Sequence, residues 1–449
     1  MRLSPIGSRL AGLSGLRSIM EDVASSMAGT AQEDWLNLGI GNPAAIPEAA
    51  AMWRETLSSA LTDDFDSAVG RYGPSRGSTK LVDAVVHYFN QAYGWDLRPE
   101  NVVIGPGSQM ICFAAAALFC GPGPEGMHRL VMPMMPDYTG YQGLCMHQDG
   151  VAGVAPRITL EGEHRFRYSL DLDALARRDD LGMLLISSPG NPTGRAVTRT
   201  ELNGLISVAG QHGVPLLVDH AYGAPFPRIG EVHVDPVQHP NVINCFSVSK
   251  AGMPGERIGF AIGDPEYIGA LAAFMSNSVL HAAQLPQVAV ATALSEGSLD
   301  RVTRDSIAPY YRHKRQYMEE TLAERLPSGL NWRIHTGTGG MFSWVWIDHP
   351  WFDDSDLYRR LKARQVFVVP GRHFFVDALS APIPGDHATH CFRLSLSAPE
   401  KTIDEGVSRL ADTLADMHPG ASLNAQAAAT RLRGEAAGEV VRPAGVGAR

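Results

Sequence analysis

Lys250 lies in Ser247-Val248-Ser249-Lys250-Ala251-Gly252-Met253-Pro254-Gly255-Glu256-Arg257-Ile258-Gly259, between small hydroxyl residues and a Gly/Pro-rich turn that leads to an arginine. Lysine is the side chain that condenses reversibly with an aldehyde, and serine hydroxyls with a guanidinium supply the donors that a phosphate dianion requires. The segment fits an amine carrying pyridoxal phosphate as a Schiff base. Taken alone it also fits a strand end and a surface turn, so its partners elsewhere in the chain decide.

Asp219 closes the apolar run Leu216-Leu217-Val218, the place where an open α/β sheet puts its ligand residues. A carboxylate there pairs with a protonated pyridine nitrogen and keeps the ring an electron acceptor. Tyr222, three residues on, and Asn191, in Ser188-Pro189-Gly190-Asn191-Pro192-Thr193-Gly194, are donors for the ring's phenolic oxygen and would stabilise its anion. Gly107-Ser108-Gln109 opens a helix after a strand, where free N–H groups and the helix dipole attract a phosphate. Ser247, Ser249 and Arg257 add further donors. Tyr138, in Met135-Pro136-Asp137-Tyr138, offers an aromatic face to the ring, and Arg393, inside the apolar stretch Cys391-Phe392-Arg393-Leu394, is a costly buried cation that a substrate carboxylate would neutralise. Gly39-Ile40-Gly41 resembles the start of a dinucleotide loop, but Pro43 and the missing third glycine spoil that pattern. The backbone N–H of Gly41 facing a substrate carboxylate is the better reading.

The elements that must position these residues follow from the hydrophobic pattern. Apolar strands at Val102–Ile104, Leu130–Met134, Gly182–Ser187, Pro215–Val218, Val242–Phe246 and Ile258–Ile262 alternate with amphipathic helices such as 171–178 and 199–211, the signature of a mostly parallel α/β sheet. Residues 1–30 read as an amphipathic helix with its lead-in, and one long helical pattern runs from Pro265 through Arg325. Residues 331–416 read as α+β. The stretch 419–449, rich in Ala, Gly and Arg, has little to bury and reads as a disordered tail, with a short helix near 421–433.

The bulk properties exclude several classes of function. With 449 residues, 45% hydrophobic and 19% charged, the chain can build a sizeable core in two structural units. A net charge of -9 without any Lys/Arg-rich run argues against nucleic acid. No uncharged apolar run approaches the length of a membrane span, and Arg2, Arg9 and Arg17 break up any secretory pattern, so no membrane association and a cytoplasmic location are expected. The five cysteines form no CxxC pair and the sixteen histidines no HExxH, so reduced core thiols and no metal are expected.

With these residues assembled, the chain resembles the fold-type-I pyridoxal phosphate enzymes, within the class I and II aminotransferases. The resemblance runs from about Gly7 to Met417 and is carried by 41–47 (Gly-Asn-Pro-Ala-Ala-Ile-Pro), 191–194, 219–227 (Asp-His-Ala-Tyr-Gly-Ala-Pro-Phe-Pro), the Lys250 segment and 369–375. It implies a large domain with a mostly parallel seven-stranded sheet over residues 49–305. It also implies a smaller α+β domain built from 306–418 with the N-terminal segment 1–48. Lys250, Asp219 and Tyr222 are then the catalytic set. Ser108, Gln109, Ser247 and Arg257 hold the phosphate, Tyr138 stacks on the ring, and Asn191 serves both cofactor and substrate. Gly41 and Arg393 hold the substrate carboxylate, and Tyr72 reaches the phosphate of a neighbouring subunit, which makes the enzyme a homodimer with shared sites. The implied reaction moves an amino group between a small or branched apolar L-amino acid and a 2-oxo acid such as pyruvate. The same constellation also serves elimination, cyclisation or oxidation at the carbanion. His220 stands where the family usually has Asn, and the stretch Met275–His281 departs from the family pattern, which leaves substrate choice open.

Overall fold

The computed structural model describes residues 2–12, 15–28, 35–232, 234–376, 379–381 and 383–418. The tail and short helix expected within 419–449 lie outside the described residues.

Among the described residues the main sheet has eight strands. Val102–Gly105, Val242–Ser247, Leu216–Asp219, Leu181–Ser187, Gly126–Met132 and Val151–Gly153 run in one direction. Gly259–Ile262 lies antiparallel between the first two. These seven form the expected sheet, and the short strand Gly121–Gly123 adds a hairpin beside Gly126–Met132. Every residue of Leu181–Ser187, Leu216–Asp219, Val242–Ser247 and Gly259–Ile262 is buried, as in a sheet covered on both faces.

Local chemistry sets the helix ends. Thr198 accepts from Glu201 N, the Glu201 carboxylate returns to Thr198 N, and Gly213 stops the helix Arg199–His212 in the left-handed region at φ 64°. Helix Ser108–Phe119 starts immediately after strand Val102–Gly105 through Gly107 at φ 81°, a conformation that favours glycine.

A second sheet has six strands among the described residues, in the order Val369–Pro370, Cys391–Ser395, Phe342–Ile347, Trp332–His335, Arg165–Ser169 and Arg157–Leu160. The last two form a hairpin that falls within 49–305 by sequence yet hydrogen-bonds to Trp332–His335 of the second sheet. Arg165–Ser169 buries Phe166 and Tyr168 in alternation, and Arg157–Leu160 beyond it forms the edge of the sheet. Helix Glu400–Met417 buries Ile403, Val407, Leu410 and Leu414, one helical face, in a cluster that also contains Leu38, Trp53 and Val345.

Two helical expectations are corrected. The long pattern 265–325 is divided into Pro265–Ser278, Gln284–Ser295, Ser298–Val302 and Ala308–Arg325. Leu280 at φ 66° and Gly297 at φ 64° take left-handed conformations that a continuous helix does not contain, and a π-turn occupies Thr303–Ile307. The N-terminal pattern forms two helices, Pro5–Leu10 and Gly15–Met27. After them Leu36–Asn37 pairs in parallel with Val366–Phe367, which ties the N-terminal segment to the C-terminal region.

Candidate active site

The candidate residues follow the C-terminal ends of the parallel strands. Ser108 comes after Val102–Gly105, Tyr138 after Gly126–Met132, Asn191 after Leu181–Ser187, Tyr222 after Asp219, and Lys250 after Val242–Ser247. Adjacent strands held in register by their backbone ladders therefore converge these side chains on one crevice.

Asp219 is buried, and its carboxylate accepts from the Tyr141 hydroxyl at 2.9 Å and from Ala221 N at 2.9 Å. Burial pushes its carboxyl up to about 6, against the opposing pull of those donors and of Lys250. Two donors leave part of the carboxylate's accepting capacity free, and a pyridinium N–H is a cationic donor that would satisfy it and reverse the shift. Tyr141 is a partner of Asp219 that sequence reasoning missed, since nothing marks a tyrosine three positions after Tyr138 for that contact. Removing its hydroxyl takes away a donor that favours the ionised carboxylate. Tyr141→Phe is therefore expected to move the acid limb of the pH–rate profile upward by about one unit, and a profile unchanged from wild type would refute this role.

At the opposite side of the crevice, Arg257 reaches over the N-terminus of helix Ser108–Phe119. A Cβ at Gly107 would collide with its guanidinium. Arg257 itself sits at φ 55°, and its Nη1 donates to Ser249 Oγ and to Pro254 O, both at 3.1 Å. Ser247 Oγ donates to Ser249 Oγ at 3.0 Å, so the Ser249 hydroxyl proton is free for a further acceptor. A guanidinium held against the positive end of a helix is unfavourable until an anion joins them. The arrangement fits the phosphate of the cofactor.

Arg393 is buried beneath the crevice. Its Nη1 donates to Asn191 Oδ1 at 3.0 Å and its Nη2 to Gly39 O at 2.9 Å. The guanidinium lies 3.9 Å from the Phe342 ring centroid and 5.3 Å from that of Phe374. Burial pulls it down to about 10, and its Nε has no partner among the described residues. A buried cation with donors to spare is matched to a carboxylate. Lys250 Nζ donates to Gly41 O at 2.7 Å and lies 5.9 Å from the Tyr222 ring centroid. Burial, then the Arg393 and Arg257 cations, bring its amine down to about 8, with Asp219 opposing. Tyr222 is buried and its hydroxyl is pushed above its ordinary value by desolvation.

The structure thus brings together Lys250, Asp219, Tyr222, Asn191, Arg393, Tyr138, Ser108, Ser247, Arg257 and the Gly39–Gly41 loop. Gln109 turns its amide to Gly140 O at 3.1 Å, where it braces the turn that follows Tyr138. His220 stacks on Phe246 with ring centroids 4.9 Å apart, and its Nε2 meets Asn244 Oδ1 at 3.0 Å. Among the described residues of one chain Tyr72 is not brought to the others: it is 87% exposed, and its ring meets the edge of His281 with ring centroids 6.0 Å apart.

A parallel-sheet crevice that gathers a lowered lysine amine, a buried carboxylate, a phosphate cradle and a buried arginine defines the class of fold-type-I pyridoxal phosphate enzymes. Residues 33–410 match the family described as aminotransferase class I and II, and the chain belongs to that family. Valine–pyruvate aminotransferase of Escherichia coli K12 is 32% identical over 420 residues, which span 92% of this chain and 98% of that protein. The solved structure of valine–pyruvate aminotransferase from Salmonella typhimurium LT2 superimposes with a TM-score of 0.80 at 31% identity, covering 90% of this chain and 99% of the other. That of the α-aminoadipate aminotransferase LysN from Thermus thermophilus, complexed with N-(5'-phosphopyridoxyl)-L-leucine, gives 0.73 at 26% identity, with 92% and 97% coverage. The family is pyridoxal phosphate-dependent, and the chain is an aminotransferase. Amino transfer, not elimination, cyclisation or oxidation, is what these relatives share.

Proposed function

We propose that this aminotransferase exchanges the amino group of a small or branched apolar L-amino acid, of the valine or alanine type, with a 2-oxo acid such as pyruvate. The observation that carries the substrate class is the set of cations around Lys250. Those that lower its amine are Arg393 and Arg257. Arg257 is committed to the helix N-terminus, which leaves Arg393 as the guanidinium placed for a substrate carboxylate. One carboxylate partner, backed by the Phe342 and Phe374 rings, suits a monocarboxylic substrate with an apolar side chain. The two valine–pyruvate aminotransferase relatives support the same reading.

Bound in the crevice, the cofactor supplies an electron sink for the bond broken at the substrate Cα. Arg393, oriented by Asn191 and Gly39, fixes the substrate carboxylate and so the direction of the Cα–H bond. Lys250 Nζ would act as the base that takes the Cα proton and, as the ammonium so formed, as the acid that delivers it to the cofactor carbon bonded to the substrate nitrogen, which leaves the lysine neutral again. Asp219 would hold the pyridine nitrogen protonated, Tyr222 and Asn191 would donate to the phenolic oxygen, and Tyr138 would offer its ring to the cofactor's face.

The test is spectroscopic. Adding L-valine or L-alanine without oxygen should bleach the visible band of the purified holoenzyme, and pyruvate should restore it. A band that neither amino acid bleaches would overturn the substrate assignment.

We also infer a homodimer with shared sites, supported by the exposure of Tyr72 and of Leu61, Phe65 and Val69 just before it in the chain. Mixing Lys250→Ala subunits with Tyr72→Ala subunits should recover about a quarter of wild-type activity, because half the sites in each mixed dimer are intact. Activity no higher than that of the separate variants would refute sharing. We place the enzyme in the cytoplasm, since all five cysteines are free thiols, the usual state in a reducing compartment. No helix among the described residues is long and apolar enough to cross a membrane.

A further inference from the structure

We propose that Asp137 and Ser187 are positioning residues that tie the ring-stacking tyrosine to the grip on the substrate carboxylate; this rests on the roles given above to Tyr138, Asn191 and Arg393. Asp137 is 3% exposed and Ser187 5% exposed, and neither belongs to the set expected from the sequence. The Asp137 carboxylate accepts three donors: Tyr138 N at 2.7 Å, Ser187 N at 3.1 Å, and the Ser187 hydroxyl in a short contact. The Ser187 oxygen in turn accepts from Asn191 N at 3.3 Å. Asn191 Oδ1 then accepts from Arg393 Nη1. A continuous chain of hydrogen bonds therefore runs from the backbone of Tyr138, through Asp137, Ser187 and Asn191, to the guanidinium.

The chain is anchored at both ends and along its length. Asp137 N donates to Phe374 O at 3.3 Å, and the Phe374 ring faces Arg393. Ser187 is the register partner of Asp219 in the neighbouring strand, and Ser188 N donates to Asp219 O at 2.9 Å. A buried carboxylate that receives three donors is well satisfied, and loss of any donor leaves an acceptor that water cannot reach. The turn that begins at Asn191 and the turn that carries Tyr138 consequently cannot shift independently. Movement of Asn191 away from Arg393 would displace Ser187 Oγ, release Asp137 and free the backbone of Tyr138. Neither residue touches the reacting atoms, so their effect is on alignment.

The test uses the dimeric holoenzyme with three substitutions: Ser187→Ala, Ser187→Thr and Asp137→Asn. Ser187→Ala is expected to raise KM for the amino acid about tenfold, with a smaller change in kcat. It should also alter the circular dichroism of the cofactor's visible band, which reads the ring's orientation, while weakening cofactor binding less than it raises KM, because the phosphate cradle is untouched. Ser187→Thr keeps the hydroxyl and should restore both properties. Asp137→Asn should reproduce the alanine variant; should it not fold, the Ser187 pair decides the matter alone. Wild-type KM and dichroism in Ser187→Ala, with only a lower Tm, would overturn the proposal and leave the pair a fold anchor. Arg393→Lys is measured beside them. If it leaves KM unaltered, the failure lies in the reading of the carboxylate grip; if it raises KM and Ser187→Ala does not, the failure lies in the positioning chain.

Discussion

Lys250→Ala is expected to lower turnover by about 10⁴-fold or more, the upper range for loss of a positioned proton-transfer group combined with loss of the covalent attachment. The structure favours the neutral form of this amine. An ordinary lysine near 10.4 is almost wholly protonated at neutral pH, whereas one at about 8 is neutral a few hundred times more often. Desolvation contributes most to the shift, followed by the Arg393 and Arg257 cations. A neutral amine is needed both to attack an aldehyde and to take a proton. The rate at which cofactor-free protein captures the cofactor should therefore rise with pH through about 8. Lys250→Arg should not rescue, because a guanidinium stays protonated. Steady-state assays with alanine and a 2-oxo acid, together with the pH dependence of cofactor uptake, check both statements. Turnover of Lys250→Ala close to wild type would end the assignment of this lysine.

Much of the site was legible because its residues sit where periodic patterns stop. Asp219, Lys250 and Asn191 each follow a run of apolar residues, and a polar group at the end of a buried strand has few other uses. The main sheet was legible for the same reason, its strands being unbroken apolar runs. Arg393 stood out as a guanidinium within such a run. The residues that were not legible act through tertiary contact. Tyr141 and Ser187 gain their meaning only when the turn after Gly126–Met132 meets the ends of Leu181–Ser187 and Leu216–Asp219, and no spacing rule records that meeting. The edge hairpin Arg157–Ser169 belongs to the second sheet through pairing with Trp332–His335, residues more than 160 positions away. The divided helices between Pro265 and Arg325 turn on single backbone conformations at Leu280 and Gly297, which an apolar pattern does not reveal. His220 was a candidate for substrate choice because it stands where the family usually has Asn, directly after Asp219. A strand reverses its side chains at every step, and the imidazole lies against Phe246 and Asn244 instead.

Asp219→Ala is expected to retain cofactor more weakly and to lose about 10²–10³-fold in kcat, the magnitude typical of removing a preorganised charge from a water-excluded site. The carboxylate is the group that would make a protonated pyridine favourable there, and the two groups bonded to it bring no negative charge of their own. Its neighbours Tyr141 and Ala221 donate to it, so with the carboxylate gone a pyridinium would lose its charged acceptor there. Asp219→Asn should fare little better, since it keeps an acceptor but carries no charge. The sign of the electrostatic effect gives a sharper check. Without cofactor, burial holds the Asp219 carboxyl at about 6, so its proton is lost as pH rises through that value. A bound cation stabilises the anion and pulls the group down, and cofactor binding should accordingly release a proton near pH 6. That release is measurable in weakly buffered solution and should vanish in both variants. A cofactor methylated on the pyridine nitrogen carries a fixed positive charge and does not require Asp219 to keep it. Partial recovery of Asp219→Ala by that analogue would show that the carboxylate acts through the ring nitrogen, whereas no recovery together with wild-type proton release would place its role elsewhere.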